Sequence, residues 1–75
     1  MPESVYKVIE LVGSSPESWE KAAAVALKQA SETLDDLRIA EVLQMDVHLK
    51  EGGKNGEIEA YRVKLRVSFK YKGHG

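Results

Sequence analysis

The sequence predicts an α+β fold, in which one long helix packs on a three-stranded antiparallel sheet in the order βαββ. Two segments rich in β-branched residues flank a segment with helical periodicity, and a final segment alternates strictly between apolar and polar residues. A chain of 75 residues holds one domain, so we interpret residues 1–75 as a single domain with its core at about residues 4–71. Residues 72–75 are expected to be a frayed end.

The first strand is predicted at residues 4–12, where β-branched residues are frequent. A helix is expected to begin next, because Ser15 is a good N-cap and Pro16 has no backbone N–H to leave unpaired. Ser14 with Glu17 would form an alternative capping box. The residues just before the helix could also hold a phosphate at its N-terminus, but a simple cap is the favoured interpretation.

The helix is expected to run from about Pro16 to Asp35 or Asp36. Its apolar residues recur at spacings of three and four and form one stripe: Trp19, Ala23, Ala26, Ala30, Leu34 and Leu37. Trp19 could stack on a planar ligand, although its place on the stripe favours packing in the core or between subunits. Asp35 and Asp36 oppose the helix dipole if the helix ends there.

Two further strands are predicted at Arg38–Lys50 and Tyr61–Tyr71, joined by a hairpin loop at 51–56. In the second strand the pattern predicts one face with Ile39, Leu43, Met45, Val47 and Leu49, and the other with Ala40, Val42, Gln44, Asp46 and His48. The third strand has an apolar face at odd positions and a basic face at even positions. The first strand could lie beside either of the others or along the helix-side edge.

Composition excludes several classes of function. The formal net charge is -1, with 11 basic and 12 acidic side chains, so neither nucleic acid nor an anionic membrane is the expected partner. The chain has no cysteine, which excludes disulfides and thiolate zinc sites. No apolar run long enough to span a membrane and no signal-peptide pattern is found, so a cytoplasmic location is expected. No nucleophile motif is present, so an enzyme is not expected.

The lengths of the elements predict self-association. A helix of about 20 residues spans roughly 30 Å, whereas a third strand of about 14 residues spans roughly 45 Å. One helix cannot cover such a sheet, and the uncovered apolar surface would be an association site or an aggregation hazard. A closed homo-oligomer is the expected solution.

Charged residues supply two candidate sites. The basic face of the third strand carries Arg62, Lys64, Arg66 and Lys70, which could hold an anion such as a nucleotide phosphate. The favoured alternative is pairing with acidic residues of a neighbouring strand, such as Asp46. Carboxylates from several subunits could converge on calcium or magnesium, and the candidates of first choice are Asp35, Asp36 and Glu41. Ordinary surface charges are the favoured alternative there too.

Several local strings together resemble the dodecin family, over about residues 4–71. They are Val5-Tyr6-Lys7-Val8, Val12-Gly13-Ser14-Ser15, Leu37-Arg38-Ile39-Ala40-Glu41-Val42 and Tyr61-Arg62-Val63-Lys64-Leu65-Arg66-Val67-Ser68-Phe69. The resemblance implies βαββ subunits that assemble into hollow shells of twelve. It also implies a flavin, such as riboflavin or FMN, bound in pairs between symmetry-related tryptophans and stored without being transformed.

This sequence departs from the family pattern at the flavin site. Ile39 stands where the family has its stacking tryptophan, and Arg62 stands where the family has a glutamine that hydrogen-bonds the flavin. A flavin bound by this chain would be expected near Ile39, Gln44 and Arg62. The predicted function is therefore a non-enzymatic dodecameric shell that binds or stores a small ligand through a degenerate flavin site. The alternatives are a calcium-binding shell and a purely structural assembly.

Overall fold

The elements follow the predicted βαββ order. The structure, a computed structural model of the chain, describes residues 3–52 and 55–71. The elements are β1 (Tyr6–Ser15), α1 (Trp19–Ser31), β2 (Leu37–Leu49) and β3 (Ile58–Lys70). This arrangement confirms the predicted fold class. The expected frayed end, at 72–75, and positions 53 and 54 of the predicted loop lie outside the described residues.

The last strand lies at the centre of the sheet. The strand order is β1-β3-β2, and β3 pairs antiparallel with both neighbours. The place of the first strand, which the sequence left open, is therefore beside β3. The alternation predicted for β3 is confirmed, because Val63, Leu65 and Val67 are each 1 % exposed on the helix side. The basic residues between them lie on the opposite side, which we call the outer face.

The start of the helix differs from the prediction. Ser15 is the last residue of β1, paired with Tyr61, because a residue that precedes proline is restricted to extended conformations. Its Oγ accepts a hydrogen bond from the Glu17 N–H at 3.0 Å. The N-cap is Ser18, whose Oγ accepts from the Lys21 N–H at 3.0 Å. The predicted Ser15 cap is therefore wrong, and residues 13–15, the alternative phosphate site, belong to β1 and not to the start of the helix.

The helix also ends earlier than predicted, at Ser31. The Ser31 Oγ donates to the Lys28 carbonyl at 2.8 Å, which satisfies an end carbonyl without another helical turn. Asp36 adopts a positive φ of 58°, a conformation that ends regular structure and that aspartate tolerates. Asp35 and Asp36 thus lie beyond the helix, and the expected conflict with its dipole does not arise. Within the described residues, no helix has the length and apolar character needed to cross a membrane.

The helix approaches the sheet closely because small residues meet there. Ala22, Ala26 and Ala30 are the buried residues of α1. A Cβ added to Gly13 of β1 would overlap the Ala22 carbonyl oxygen and lie 2.9 Å from the Ala26 Cβ. Trp19, Ala23 and Leu27 pack beside this contact, on the side of the helix that faces β2, and are partly buried. The core is therefore small, and it depends on the close contact between the backbone of β1 at Gly13 and α1.

The faces of β2 differ from those predicted because the strand is bulged. Its register with β3 shifts between Leu37 and Ile39, between Val42 and Gln44, and between His48 and Leu49. Each extra residue reverses the alternation that follows it. Ile39 and Glu41 therefore share the outer face with Gln44, Asp46 and His48, whereas Ala40 and Val42 share the helix side with Met45 and Val47. The prediction that Ile39 and Met45 share a face is wrong.

The subunit is strongly elongated. It measures 57 × 20 × 19 Å, with a radius of gyration of 15.8 Å, against about 11 Å for a compact domain of this length. Its accessible surface is 5862 Å², against about 4,600 Å² for a compact monomer of this mass. The cause is the mismatch of lengths, since 13 helical residues span about 20 Å and 13 strand residues about 43 Å.

Candidate functional site

The outer face of the sheet carries a ladder of ion pairs. Arg62 of β3 lies opposite Asp46 of β2. Its Nε contacts the Asp46 Oδ1 at 2.7 Å and its second terminal nitrogen contacts the Oδ2 at 2.7 Å. Such a bidentate pair fixes the guanidinium plane and uses both carboxylate oxygens. Arg62 is therefore occupied by a neighbour in its own subunit.

The other basic residues of the ladder share Glu10 of β1. The Glu10 carboxylate lies 3.4 Å from the Lys64 Nζ and 3.2 Å from an Arg66 terminal nitrogen. Arg66 also approaches the Glu41 carboxylate of β2, at 3.8 Å. The expected pairing of the basic row with acidic neighbours is confirmed for Arg62, Lys64 and Arg66. Sequence reasoning did not identify Glu10 as a partner, although a lone acidic residue among the β-branched residues of a strand was the available signal.

The ladder shifts the pKa values of its members in the direction that favours charge. The hydrogen bond from Arg62 lowers the pKa of Asp46 below its ordinary value of 3.8. The hydrogen bond from Arg66, followed by the charge of Lys64, lowers the pKa of Glu10 below 4.5. Asp46 in turn raises the pKa of Arg62. Both carboxyl groups have a lower pKa in the folded state than in the unfolded chain. They therefore stabilise the fold at pH values above their unfolded-state pKa, and this stabilisation is lost as the pH falls.

Asp46→Asn should therefore weaken the acid dependence of stability. We expect the variant to be less stable than the wild type at pH 7 and to lose less stability between about pH 5 and pH 3, because it has no carboxylate to protonate. Urea unfolding followed by circular dichroism across that range measures the slope. Glu51→Gln, in the hairpin turn, is the matched control and should retain the wild-type slope. An Asp46→Asn slope equal to that of the wild type would contradict the role given to this pair.

The structure brings together two of the three residues predicted for a flavin. Gln44 and Arg62 line one outer-face cavity of about 250 Å³, with Val12, Asp46 and Lys64. Ile39 lies elsewhere: it is opposite Ser68, six residues along β3 from Arg62, which corresponds to about 20 Å. Its side chain is 67 % exposed. Within one subunit, Ile39 therefore does not contribute to the Gln44–Arg62 cavity.

The candidate carboxylates do not form a metal site within one subunit. Among residues 3–52 and 55–71, no group of three or more His, Cys, Asp or Glu side chains could hold a metal ion. Asp35 and Asp36 lie in the turn between α1 and β2, whereas Glu41 is on the outer face beside Arg66. Three further carboxylates on or beside the strands each have a neighbouring nitrogen: Asp46 has Arg62, Glu57 has Lys50 at 3.5 Å, and Glu59 has the His48 imidazole at 3.7 Å.

Trp19 packs against the sheet, as its place on the apolar stripe predicted. Its indole Nε1 donates to the Asp46 carbonyl at 3.0 Å. Its ring meets the Tyr61 ring edge-on, with centroids 5.0 Å apart and planes at 75°. Both contacts lie within one subunit, so they tie the start of α1 to β2 and β3.

A family model decides which family these features represent. The model described as Dodecin matches residues 5–72, which includes all four elements. The chain belongs to the dodecin family. The predicted resemblance is therefore confirmed.

Individual dodecins agree with this assignment over almost their whole length. Calcium dodecin from Mycobacterium tuberculosis is 48% identical over 69 residues, which cover 92% of each chain. A dodecin from Thermus thermophilus is 39% identical over 66 residues, 88% of this chain and 90% of that protein. A solved dodecin structure from Streptomyces coelicolor superposes with a TM-score of 0.88 at 30% identity, over 99% of this chain and all of the other.

Calcium dodecin also provides a structural comparison. Its crystal structure, described as that of a calcium-chelating protein with a novel calcium-binding site, superposes with a TM-score of 0.78 at 46% identity. The match covers 96% of this chain and 97% of the other. This chain therefore shares its fold with a relative that is named for calcium.

Proposed function

We propose that this chain is a non-enzymatic, self-associating dodecin whose closed homo-oligomer, with twelve subunits as its expected form, binds a divalent cation between subunits. Calcium is the cation that the carboxylate ligands suit and for which the relative from Mycobacterium tuberculosis is named. The observation that carries the choice of cation over flavin is the bidentate pair between Arg62 and Asp46. Arg62 is the residue that would be expected to hydrogen-bond a flavin, and in this structure it is paired with Asp46 instead.

Self-association is supported by the surface of the subunit. The accessible area exceeds that of a compact monomer by about 1,300 Å². Val42, Met45 and Ile39 are each more than half exposed, although they are large apolar residues. A soluble monomer rarely exposes so much apolar surface. Association with further copies of the same chain would bury this apolar surface without a different partner protein.

The residues at the expected flavin site do not fit a flavin well. Ile39 offers no π-face on which an isoalloxazine ring could stack. Arg62 offers only donors, whereas a flavin edge presents donors and acceptors together. The pair with Asp46 also uses Nε and one terminal nitrogen of Arg62, which fixes the guanidinium plane and leaves mainly the other terminal nitrogen to donate to a ligand.

A divalent cation fits the acidic residues of the α1–β2 turn better. Calcium takes six to eight oxygen ligands and accepts carboxylates and backbone carbonyls. Asp35 and Asp36 are adjacent in this turn, and both are exposed. Because one subunit does not gather three acidic residues, the proposed site needs copies of this turn from several subunits. Glu41 lies outside this turn, on β2, with one carboxylate oxygen 3.8 Å from Arg66.

A paired ligand titration tests the proposal. Wild-type protein, freed of cations with a chelator, should bind calcium in isothermal calorimetry and leave riboflavin fluorescence unquenched at micromolar concentration. Asp35→Asn with Asp36→Asn should weaken calcium binding about tenfold or more, because charged ligands dominate affinity. Glu32→Gln, near the end of α1, is the matched control and should bind as the wild type does.

Three results would count against parts of this proposal. A monomeric mass in sedimentation equilibrium would exclude self-association. Unchanged calcium affinity in the double variant would show that the cation does not bind at the α1–β2 turn. Strong riboflavin quenching, abolished by Gln44→Ala, would instead favour the cavity lined by Gln44 and Arg62 and restore flavin as the ligand.

A further inference from the structure

The connection between β2 and β3 carries the only asparagine of the chain. Asn55 is followed directly by Gly56, and both residues are exposed. The hairpin is closed by the Lys50 N–H, which donates to the Glu57 carbonyl at 2.8 Å. Asn55 and Gly56 lie between these two residues, so they take no part in the pairing of β2 with β3.

The backbone at Gly56 is open and has a conformation that suits glycine. Its φ is 65°, in the left-handed region. A Cβ added to Gly56 would meet no atom of the described residues within 4 Å, its chain neighbours apart. This side of the backbone is therefore not packed against residues 3–52 or 55–71, which leaves room for rotation between Asn55 and Gly56.

An asparagine followed by glycine holds an electrophile and a nucleophile within one dipeptide. The electrophile is the Cγ of the Asn55 side-chain amide, and the nucleophile is the backbone nitrogen of Gly56. A bond between them closes a five-membered ring, and such an intramolecular attack is strongly favoured over the reaction of separate groups. Glycine permits the close approach because it has no Cβ beside the nitrogen.

We propose that Asn55 is a deamidation site, at which the hairpin changes to a more acidic form as the protein ages. The Gly56 nitrogen gives its proton to solvent and bonds to the Asn55 Cγ. The bond from Cγ to the side-chain nitrogen breaks, and ammonia leaves with a proton taken from solvent. Water then opens the cyclic imide at either carbonyl, which gives aspartate or isoaspartate. The reaction consumes one water and releases one ammonia, without any change of oxidation state.

Both products change the charge of the loop and leave the core untouched. Each adds one negative charge, so the formal net charge of the chain goes from -1 to -2. The new carboxylate joins Glu51 and Glu57 in the same connection, where Lys50 is the basic neighbour of Glu57 at 3.5 Å. Isoaspartate also lengthens the main chain of the hairpin by one methylene group. This site is separate from the proposed cation site in the α1–β2 turn, so neither depends on the other.

Incubation of the native wild-type protein in mildly alkaline buffer tests the site. An acidic species should accumulate in isoelectric focusing, and peptide mapping should locate its added mass at Asn55. Part of this species should accept a methyl group from an isoaspartyl methyltransferase. Asn55→Gln should form none, because the longer side chain has to close a less favourable ring. Gly56→Ala keeps Asn55 but places a Cβ beside the attacking nitrogen, so the acidic species should form more slowly.

The opposing outcomes concern the site and not the fold, and circular dichroism should show the same fold for both variants. A native wild-type protein that remains one band would overturn the inference. Conversion of the urea-unfolded chain in the same buffer would then assign the protection to the folded loop. An acidic species that forms as fast in Asn55→Gln would also overturn it, since the other side-chain amides are Gln29 and Gln44. An unchanged rate in Gly56→Ala would contradict attack by the Gly56 nitrogen.

Discussion

Gly13→Ala should be among the most destabilising single-methyl additions in this chain. The new Cβ would overlap the Ala22 carbonyl oxygen and press on Ala26, so α1 would have to move away from β1. Both neighbours are backbone or a Cβ, and neither can rotate out of the way. Forcing a methyl group into such a contact costs about 1–3 kcal/mol or more. The shift of the urea unfolding midpoint, at a fixed subunit concentration, measures this cost.

Ser14→Ala is the control for this substitution. Ser14 lies in the same strand, with an exposed side chain, so the change should leave the midpoint close to that of the wild type. A Gly13→Ala midpoint equal to the Ser14→Ala midpoint would show that α1 does not rest on the backbone of β1.

Val67→Asp should abolish the fold or the assembly. Val67 is 1 % exposed at the centre of the small core, and a carboxylate there would have no partner. An uncompensated buried charge costs roughly 3–5 kcal/mol, which is a large part of the 5–15 kcal/mol that holds a typical domain together. Soluble yield, far-ultraviolet circular dichroism and sedimentation equilibrium should all show the loss.

Lys70→Asp provides the charge control on the same strand. Its side chain is exposed on the outer face, so the variant should remain soluble and assembled. A soluble Val67→Asp protein of native mass would mean that the two faces of β3 are assigned the wrong way round.

The parts of the fold that the sequence predicts well are those with an uninterrupted period. In β3, apolar and polar residues alternate without exception from Tyr61 to Tyr71, and the face assignment is confirmed by the burial of Leu65. The alanines of α1 have the helical period, so the existence of the helix is confirmed as well. The period of the apolar residues indicates which face of an element is buried, and this was enough to predict α1 and β3.

The boundaries and the bulges were not predictable from the same signal. Ser15 and Ser18 are equally good caps, and the choice depends on whether Ser15 pairs with Tyr61, a residue far along the chain. In β2, the shift between Val42 and Gln44 leaves no local mark in the sequence. Such bulges are set by packing across the sheet, which a single strand does not encode.

The candidate site also has features that the sequence predicts and features that it does not. Pairing of Arg62 with Asp46 was predictable, because opposite charges on neighbouring strands attract. The separation of Ile39 from Arg62 required the register of β2 against β3. A cation site built from several subunits depends on the symmetry of the assembly, which one chain does not contain.

The strand order has a consequence for how the protein is made. Among residues 3–52 and 55–71, β1 and β2 each pair only with β3, which is the last of the four elements to be synthesised. The contact of Tyr6 with Lys70 joins residues near the two ends of the sheet-forming chain. Until β3 has been synthesised, β1 and α1 have no strand with which to complete their sheet. Formation of the sheet must therefore wait for the last strand, and the pairing of residues so far apart in the chain is expected to slow folding.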